Sequence, residues 1–357
     1  MTEYRSSAVH AEVEAQRRRL DAHRGDPADG SCIACHRPAP CGDANEAAAF
    51  LAERGFLMRP RGTGTAPLNY AWKLRFGLLR RAGFQQAVMV DEPEIVLPKG
   101  DVTEGVVRVG DTVRRPHQPQ SPAVAAYLHH LESVGFDGSP RYLGRDERGR
   151  DMLTYLSGEV PGDPPEAWAA DDGLLASVAV LLRRLHEASV GFTPPADAVW
   201  RRDLVRVEVP VPDPVPELVS HNDVTPQNVV VRDGCAAGLV DFDLAGPTSR
   251  LLDVYNTAMH WVPLRPPGDV PPAWRTVDQP ARLRLFADAY GLSGDERRRL
   301  PDLGVARADV TWLRMRAAAE QLGGGWARMW AEGVGDAIRR RQAWLRESRD
   351  ALLTALE

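Results

Sequence analysis

The run His221-Asn222-Asp223-Val224-Thr225-Pro226-Gln227-Asn228 is polar and rich in turn formers, yet it leads straight into three consecutive valines at 229–231. After a tight turn at Arg232-Asp233-Gly234 the chain returns as Gly238-Leu239-Val240-Asp241-Phe242-Asp243. Apolar stretches on either side of a glycine-containing turn predict a buried β-hairpin. The loop must double back before it enters the first strand, so Asp223 and Asn228 face one cavity, and the hairpin returns Asp241 beside Asn228. Asn, Asp and Pro on their own would build an ordinary turn. The acid directly after an apolar strand is what gives the pattern chemical meaning.

Three short stretches rich in β-branched residues lie upstream, Glu94-Ile95-Val96-Leu97-Pro98, Gly105-Val106-Val107-Arg108-Val109-Gly110 and Asp111-Thr112-Val113-Arg114-Arg115-Pro116, with Gly110-Asp111 supplying hairpin turn chemistry. Ser121-Pro122 opens a helix carrying Val124, Tyr127, Leu128, Leu131 and Val134 at helical spacing, and Gly135 stops it. Two further strands, at 140–144 and 151–156, flank a polar turn. Residues 92–157 thus predict a small lobe of five antiparallel strands and one helix. From 158 to 357 helices dominate. Asp171 and Asp172 cap one whose apolar face holds Leu174, Leu175, Val178, Leu181, Leu182 and Leu185. Others are expected at 280–290, 306–322 and, as a single long helix, 326–356. The expected fold is α+β, a five-stranded lobe joined by a hinge at 155–159 to a larger, mainly helical lobe, with a ligand cleft between them.

Residues 1–58 read as an N-terminal helical extension around a Gly-, Pro- and Cys-rich loop, too small for a core of its own. Cys32, Cys35 and Cys41 cluster there with His23, or His36 in its place, as a candidate structural zinc site, while Cys235 stands apart. Residues 59–91 form a basic connecting segment in which Arg59, Arg61, Lys73, Arg75, Arg80 and Arg81 alternate with Trp72, Leu74, Phe76, Leu78 and Leu79. The 357 residues carry a formal charge of -5, so no basic field invites nucleic acid. No apolar run reaches bilayer-spanning length and the opening residues lack the apolar core of a secretory signal, which makes the cytosol the expected location, with no membrane partner. Oligomeric state is not readable.

Phosphoryl transfer needs little covalent help but demands placed oxygen ligands for a magnesium ion and a carboxylate to accept the proton of the attacking hydroxyl. Asp223, Asn228 and Asp241 offer such a set. Competing motifs fail: there is no GxxxxGK[ST], Gly62-Thr63-Gly64 lacks a third glycine, and His186-Glu187 has no second histidine at the zinc-protease spacing.

On these residues the chain, from about residue 92 onward, resembles the aminoglycoside phosphotransferase and choline kinase group of small-molecule kinases, which share the protein-kinase fold. His221 to Asn228 parallels that group's His-x-Asp-x-x-x-x-Asn, and Leu239-Val240-Asp241-Phe242-Asp243 parallels its metal-binding strand end. The resemblance implies that Asp223 is the base, that Asn228 and Asp241 hold magnesium, and that Asp243 is a further metal candidate. It implies structural roles for His221, Arg250 and Asp253. Where the group has a phosphate-gripping lysine on the third strand, this chain has Arg114-Arg115; Arg115 is assigned to the phosphates and Arg114 is the alternative, since one step of register swaps them. The helix offers only Glu132, near its far end, as an ion-pair partner. Gly100 would belong to the phosphate loop, and Tyr155 and Leu156 to a purine-binding hinge. ATP or GTP and a small hydroxyl compound are the implied substrates, an aminoglycoside or amino-alcohol suiting candidate pocket residues Tyr255, His260 and Trp261 with Glu159, Asp163 and Asp172. The alternative is a nucleotide-binding pseudokinase with a regulatory role.

Overall fold

A computed structural model of the protein describes residues 93–97, 105–210 and 214–357. Contacts divide the chain into Met1–Val88 and Met89–Glu357, and every described residue belongs to the second unit. The expected zinc ligands, the segment 59–91 and Gly100 lie outside the described residues.

Strands β1 (Ile95–Val96), β2 (Val107–Val109), β3 (Thr112–Arg115), β4 (Tyr142–Arg145) and β5 (Asp151–Thr154) form one antiparallel sheet in the order β1-β2-β3-β5-β4. The β2–β3 turn works because Gly110 takes φ +55. β1 is shorter than the pattern suggested: Glu94 leaves the ladder and pairs with Arg148 and Arg150 at 2.9 and 2.8 Å. Helix α1 (Ser121–Ser133), with Pro122 in its first turn, lays Val124, Tyr127, Leu128 and Leu131 into the core. The Tyr127 hydroxyl bonds Ser189 Oγ at 2.6 Å and its ring lies 6.2 Å from Phe242, so α1 belongs to both lobes.

Helix α2 (Asp172–Ala188) is the axis of the larger lobe. The Asp171 carboxylate caps it by accepting the Leu174 N–H at 2.9 Å, and the six apolar residues read from the sequence are each at most 2% exposed. Two antiparallel pairs follow, β6 (Leu218–Ser220) with β9 (Gly246–Thr248) and β7 (Val229–Arg232) with β8 (Cys235–Leu239). Helices α3 (Arg250–Trp261), α4 (Gln279–Tyr290) and α5 (Gly294–Gln321) complete the body. Buried Arg282 of α4 ties them, donating to the Ala170 and Trp261 carbonyls and pairing with Asp172.

Two helix expectations are corrected. The helix expected at 306–322 begins at Gly294, nucleated by a capping box between Ser293 and Glu296, and tolerates Pro301 within it. The single helix expected at 326–356 is three, α6 (Gly324–Ala331), α7 (Val334–Glu347) and α8 (Arg349–Leu356), broken first where Gly333 adopts φ +93. Among the described residues no helix is long and apolar enough to cross a membrane.

The hinge is held at both ends. The Tyr155 N–H donates to the Asp111 carbonyl at 2.9 Å, and Glu159 exchanges two backbone bonds with Val231 of β7, at 2.9 and 2.7 Å. Between them Gly158 has φ +150, and a Cβ there would lie 2.5 Å from Val230 Cγ1 and 2.6 Å from the Val231 carbonyl oxygen. Gly158→Ala is therefore expected to lower stability by about 2–4 kcal/mol in denaturant titration, through strain and overpacking together; a change under about 0.5 kcal/mol would contradict this hinge geometry.

Candidate active site

The loop after β6 is framed by its own backbone. The His221 Nε2–H donates to the Val240 carbonyl at 2.8 Å, and Nδ1 accepts the Asp223 N–H at 3.3 Å. The ring is neutral in this tautomer, and burial pushes it below the usual histidine range against the opposing pull of the Val240 bond. Asn222 takes φ +64, and its amide donates to the Gly246 carbonyl at 3.0 Å and the Leu244 carbonyl at 3.3 Å. On the far side the Trp261 indole N–H donates to the Val224 carbonyl at 2.9 Å.

Inside this frame the expected residues meet. Asn228 Nδ2 donates to both the backbone carbonyl and a carboxylate oxygen of Asp223, at 2.9 and 3.0 Å. The Val240 N–H donates to the Asn228 carbonyl at 2.9 Å, which sets Asp241 next to Asn228 across the hairpin. Asp241 itself has φ +59 and ψ +65, a conformation that side chains other than glycine adopt at a cost of about 1–3 kcal/mol and that collects at working sites. It turns the chain out of β8 into a short 3-10 turn through Phe242 and Asp243.

Strand register decides between the two arginines. Arg115 closes β3, is buried, and reaches across the cleft to Asp241 (3.3 Å) and Asp243. Arg201 approaches the other Asp243 oxygen at 3.6 Å. Arg114 points to the opposite face, to Thr112 Oγ1 and, at 3.8 Å, Asp146, so it has no part in the cleft. The partner of Arg115 comes from the larger lobe and not from α1: Glu132 lies exposed and pairs with Arg141.

Other expectations fare unevenly. The Tyr155 ring carries the Arg108 guanidinium 3.8 Å from its centroid, and Leu156 packs toward Gly238. Tyr255 and Trp261 are core residues rather than cage walls, and Asp172 is engaged by Arg282. Asp253, fully buried, accepts from His186 Nε2 at 3.0 Å, while His186 Nδ1 meets the Tyr290 hydroxyl at 2.7 Å. This chain of three positions α3 beneath the loop, and of its members only Asp253 was given a structural role by the resemblance. Asp151 was also missed. It faces Arg115 in the β3–β5 register, is 3% exposed, and takes hydrogen bonds from Ser121 Oγ (2.5 Å) and Tyr142 (3.2 Å) while contacting His117 at 2.7 Å. Together Arg115, Asp151, Asp241 and Asp243 line a pocket between the sheet, α1 and the hairpin.

The family described as the phosphotransferase enzyme family has a model that matches residues 196–301, the segment holding Asp223, Asn228, Asp241 and Asp243. The trifolitoxin immunity protein of Rhizobium leguminosarum bv. trifolii is 32% identical over 214 residues, 57% of this chain and 76% of that protein. The chain belongs to the phosphotransferase enzyme family. Among solved structures it is similar to a choline/ethanolamine kinase family protein from Mesorhizobium loti, at 18% identity, covering 78% of this chain and 99% of that one with a TM-score of 0.43. It is similar also to the gentamicin-APH(2")-IIa complex, at 13% identity, covering 79% and 99% with a TM-score of 0.45.

The depressed His221 sets a pH dependence. The unfolded imidazole takes its proton near pH 6.5 and the folded one only lower, so its contribution is whole above about pH 6.5 and declines as pH falls below it. The melting temperature is expected to fall between about pH 7 and about pH 5, while His221→Gln starts lower and falls less. Parallel curves for the two proteins would contradict the assignment.

Proposed function

We propose that the protein moves the terminal phosphoryl group of ATP or GTP to a hydroxyl of a small molecule, with Asp223 as base and Asn228 and Asp241 as the magnesium ligands. The observation that carries this reading is the hydrogen-bonded pair Asp223 and Asn228, with Asp241 set beside it by the Val240 backbone bond to Asn228 and faced across the cleft by Arg115. The donor set fits a magnesium ion. Asn228 gives its amide N–H groups to Asp223, which turns its oxygen away from that carboxylate, and the Asp241 side chain is 40% exposed. Magnesium takes one or two carboxylates and completes its shell with phosphates and water. When bound, the ion neutralises charge on the phosphates.

The chain's own residues supply the rest. Asp223, oriented by Asn228 and by its backbone bond to His221, accepts the proton of the attacking hydroxyl. Arg115 brings a fixed positive charge to the transferring phosphates, a bidentate donor where a lysine would be a point charge. Asp243, paired with Arg115 and approached by Arg201, aims that guanidinium. Purine contact falls to the hinge at Tyr155 and Leu156, and a structural zinc at Cys32, Cys35, Cys41 and His23 stays part of the proposal for the N-terminal unit.

One observation favours a rival, a nucleotide-binding protein without turnover: Arg115 already engages Asp241, the one carboxylate among the proposed magnesium ligands. ADP release from ATP and magnesium, measured across a panel of hydroxylated compounds, separates the two. Asp223→Asn is expected to lower kcat by about 10²–10⁴ with nucleotide binding retained, and undiminished turnover would exclude Asp223 as the base. Arg115→Met is expected to weaken nucleotide binding about 10- to 100-fold, the worth of one charge-assisted contact, with Arg115→Lys between it and the wild type. Equal affinities in all three proteins would remove Arg115 from the phosphate site.

A further inference from the structure

A second cluster of arginines is reached from helix α3. The last turn of α3 anchors that loop through the Trp261 bond to Val224, the neighbour of Asp223. The chain then leaves α3 and brings Arg265 back under it, its guanidinium donating to the Met259 carbonyl at 3.2 Å. Helix α7 adds Arg340 and Arg341, and with Asp269 and Ala337 these residues line a cleft of about 200 Å³. The space admits a phosphate or the carboxylate end of a small hydroxy acid.

The charges there are unbalanced. Asp269 is taken by Arg340, with three contacts between 2.8 and 3.2 Å. Among the described residues neither Arg265 nor Arg341 forms an ion pair, and the Nε of each is buried without a hydrogen-bond partner. Burial followed by the Arg341 charge pushes the Arg265 guanidinium below its ordinary range, despite Asp269 and Asp163 nearby. Burial, followed by the same two cations, holds His260 down to about 3, so it is neutral and adds no positive charge of its own. Arg340, by contrast, gives its donors to Asp269. Two guanidinium groups without an ion-pair partner lining one cleft are an arrangement of charge that an anionic ligand would balance.

Resting on the phosphotransferase reading of the Asp223 loop, we infer that the acceptor carries an oxyanion, a carboxylate or a phosphate, which docks on Arg265 and Arg341 with Arg340 at the rim, while a hydroxyl of the same molecule faces Asp223. The cationic acceptor expected from the sequence is not favoured, because its aromatic walls, Tyr255 and Trp261, are buried in the core.

The test uses one carbon chain with different ends. The full chain, its nucleotide site filled with a non-hydrolysable ATP analogue and magnesium, is titrated calorimetrically with sorbitol, N-methylglucamine, gluconate and sorbitol 6-phosphate, and separately with inorganic phosphate. Inorganic phosphate and at least one anionic sugar derivative are expected to bind, the latter at least about tenfold more tightly than the neutral and cationic compounds. Arg341→Gln is expected to weaken the anions about tenfold or more, and Arg341→Lys to restore part of the loss. Retained binding of the nucleotide analogue certifies that each variant is folded. Failure of every anion to bind, tighter binding of the cationic compound, or anion affinities unchanged in Arg341→Gln would each overturn the inference. Loss of analogue binding by the wild type would instead sink the phosphotransferase reading, while the phosphate titration would still judge the anion site.

Discussion

One ion-paired cluster holds the two lobes in register. Arg115 closes the third strand of the small lobe, while Asp241 and Asp243 lie on the turn that leaves the hairpin of the larger one. The Arg115 and Asp243 side chains are only 10% and 13% exposed, so these charges gave up most of their hydration to meet. Removing Arg115 would leave Asp243 with only Arg201, at 3.6 Å, a cost bounded by the roughly 3–5 kcal/mol of a fully broken buried pair. Such a pair is seldom the most stable filling for its space. Its presence at the mouth of the cleft is better understood as placed charge than as cement.

Everything behind that cluster keeps the loop from moving. Val240 is pinned twice, its carbonyl by His221 and its N–H by Asn228, so the strand carrying Asp241 and the loop carrying Asp223 share one frame. The left-handed residues Asn222 and Asp241 store strain where this frame turns, and the surrounding hydrogen bonds over-determine both. A further layer, His186 between Tyr290 and Asp253, seats α3, and α3 holds Val224 through Trp261. Fixed donors and carboxylates of this kind reorganise little when charge shifts between them, which is the condition under which electrostatic stabilisation of phosphoryl transfer is large.

Much of this was legible in the chain. Turn chemistry at Gly110, the apolar face of α2 with its Asp171 cap, and the spacing of Asp223, Asn228 and Asp241 are local signals, and each led to the element the structure contains. What escaped depends on distance in sequence. Register, not composition, separates Arg115 from Arg114, and a partner 126 residues away leaves no local trace. The break at Gly333 hid inside a stretch whose helical pattern continues on both sides. Aromatic Tyr255 and Trp261 looked equally suited to a ligand cage and to a core, and packing against α5 and the loop chose the core. The arginines Arg265 and Arg341 sit on a loop and a helix 76 residues apart, and only folding makes them neighbours.

The central claim is that Asn228 and Asp241 hold one divalent ion in front of Asp223. Manganese can stand in for magnesium and scatters anomalously, so crystals grown with manganese and a non-hydrolysable ATP analogue test it directly. The account predicts an anomalous peak in contact with the Asn228 amide oxygen and an Asp241 carboxylate oxygen, with the terminal phosphate between Arg115 and Asp223. A bound nucleotide whose metal sits elsewhere, touching neither side chain, would contradict it.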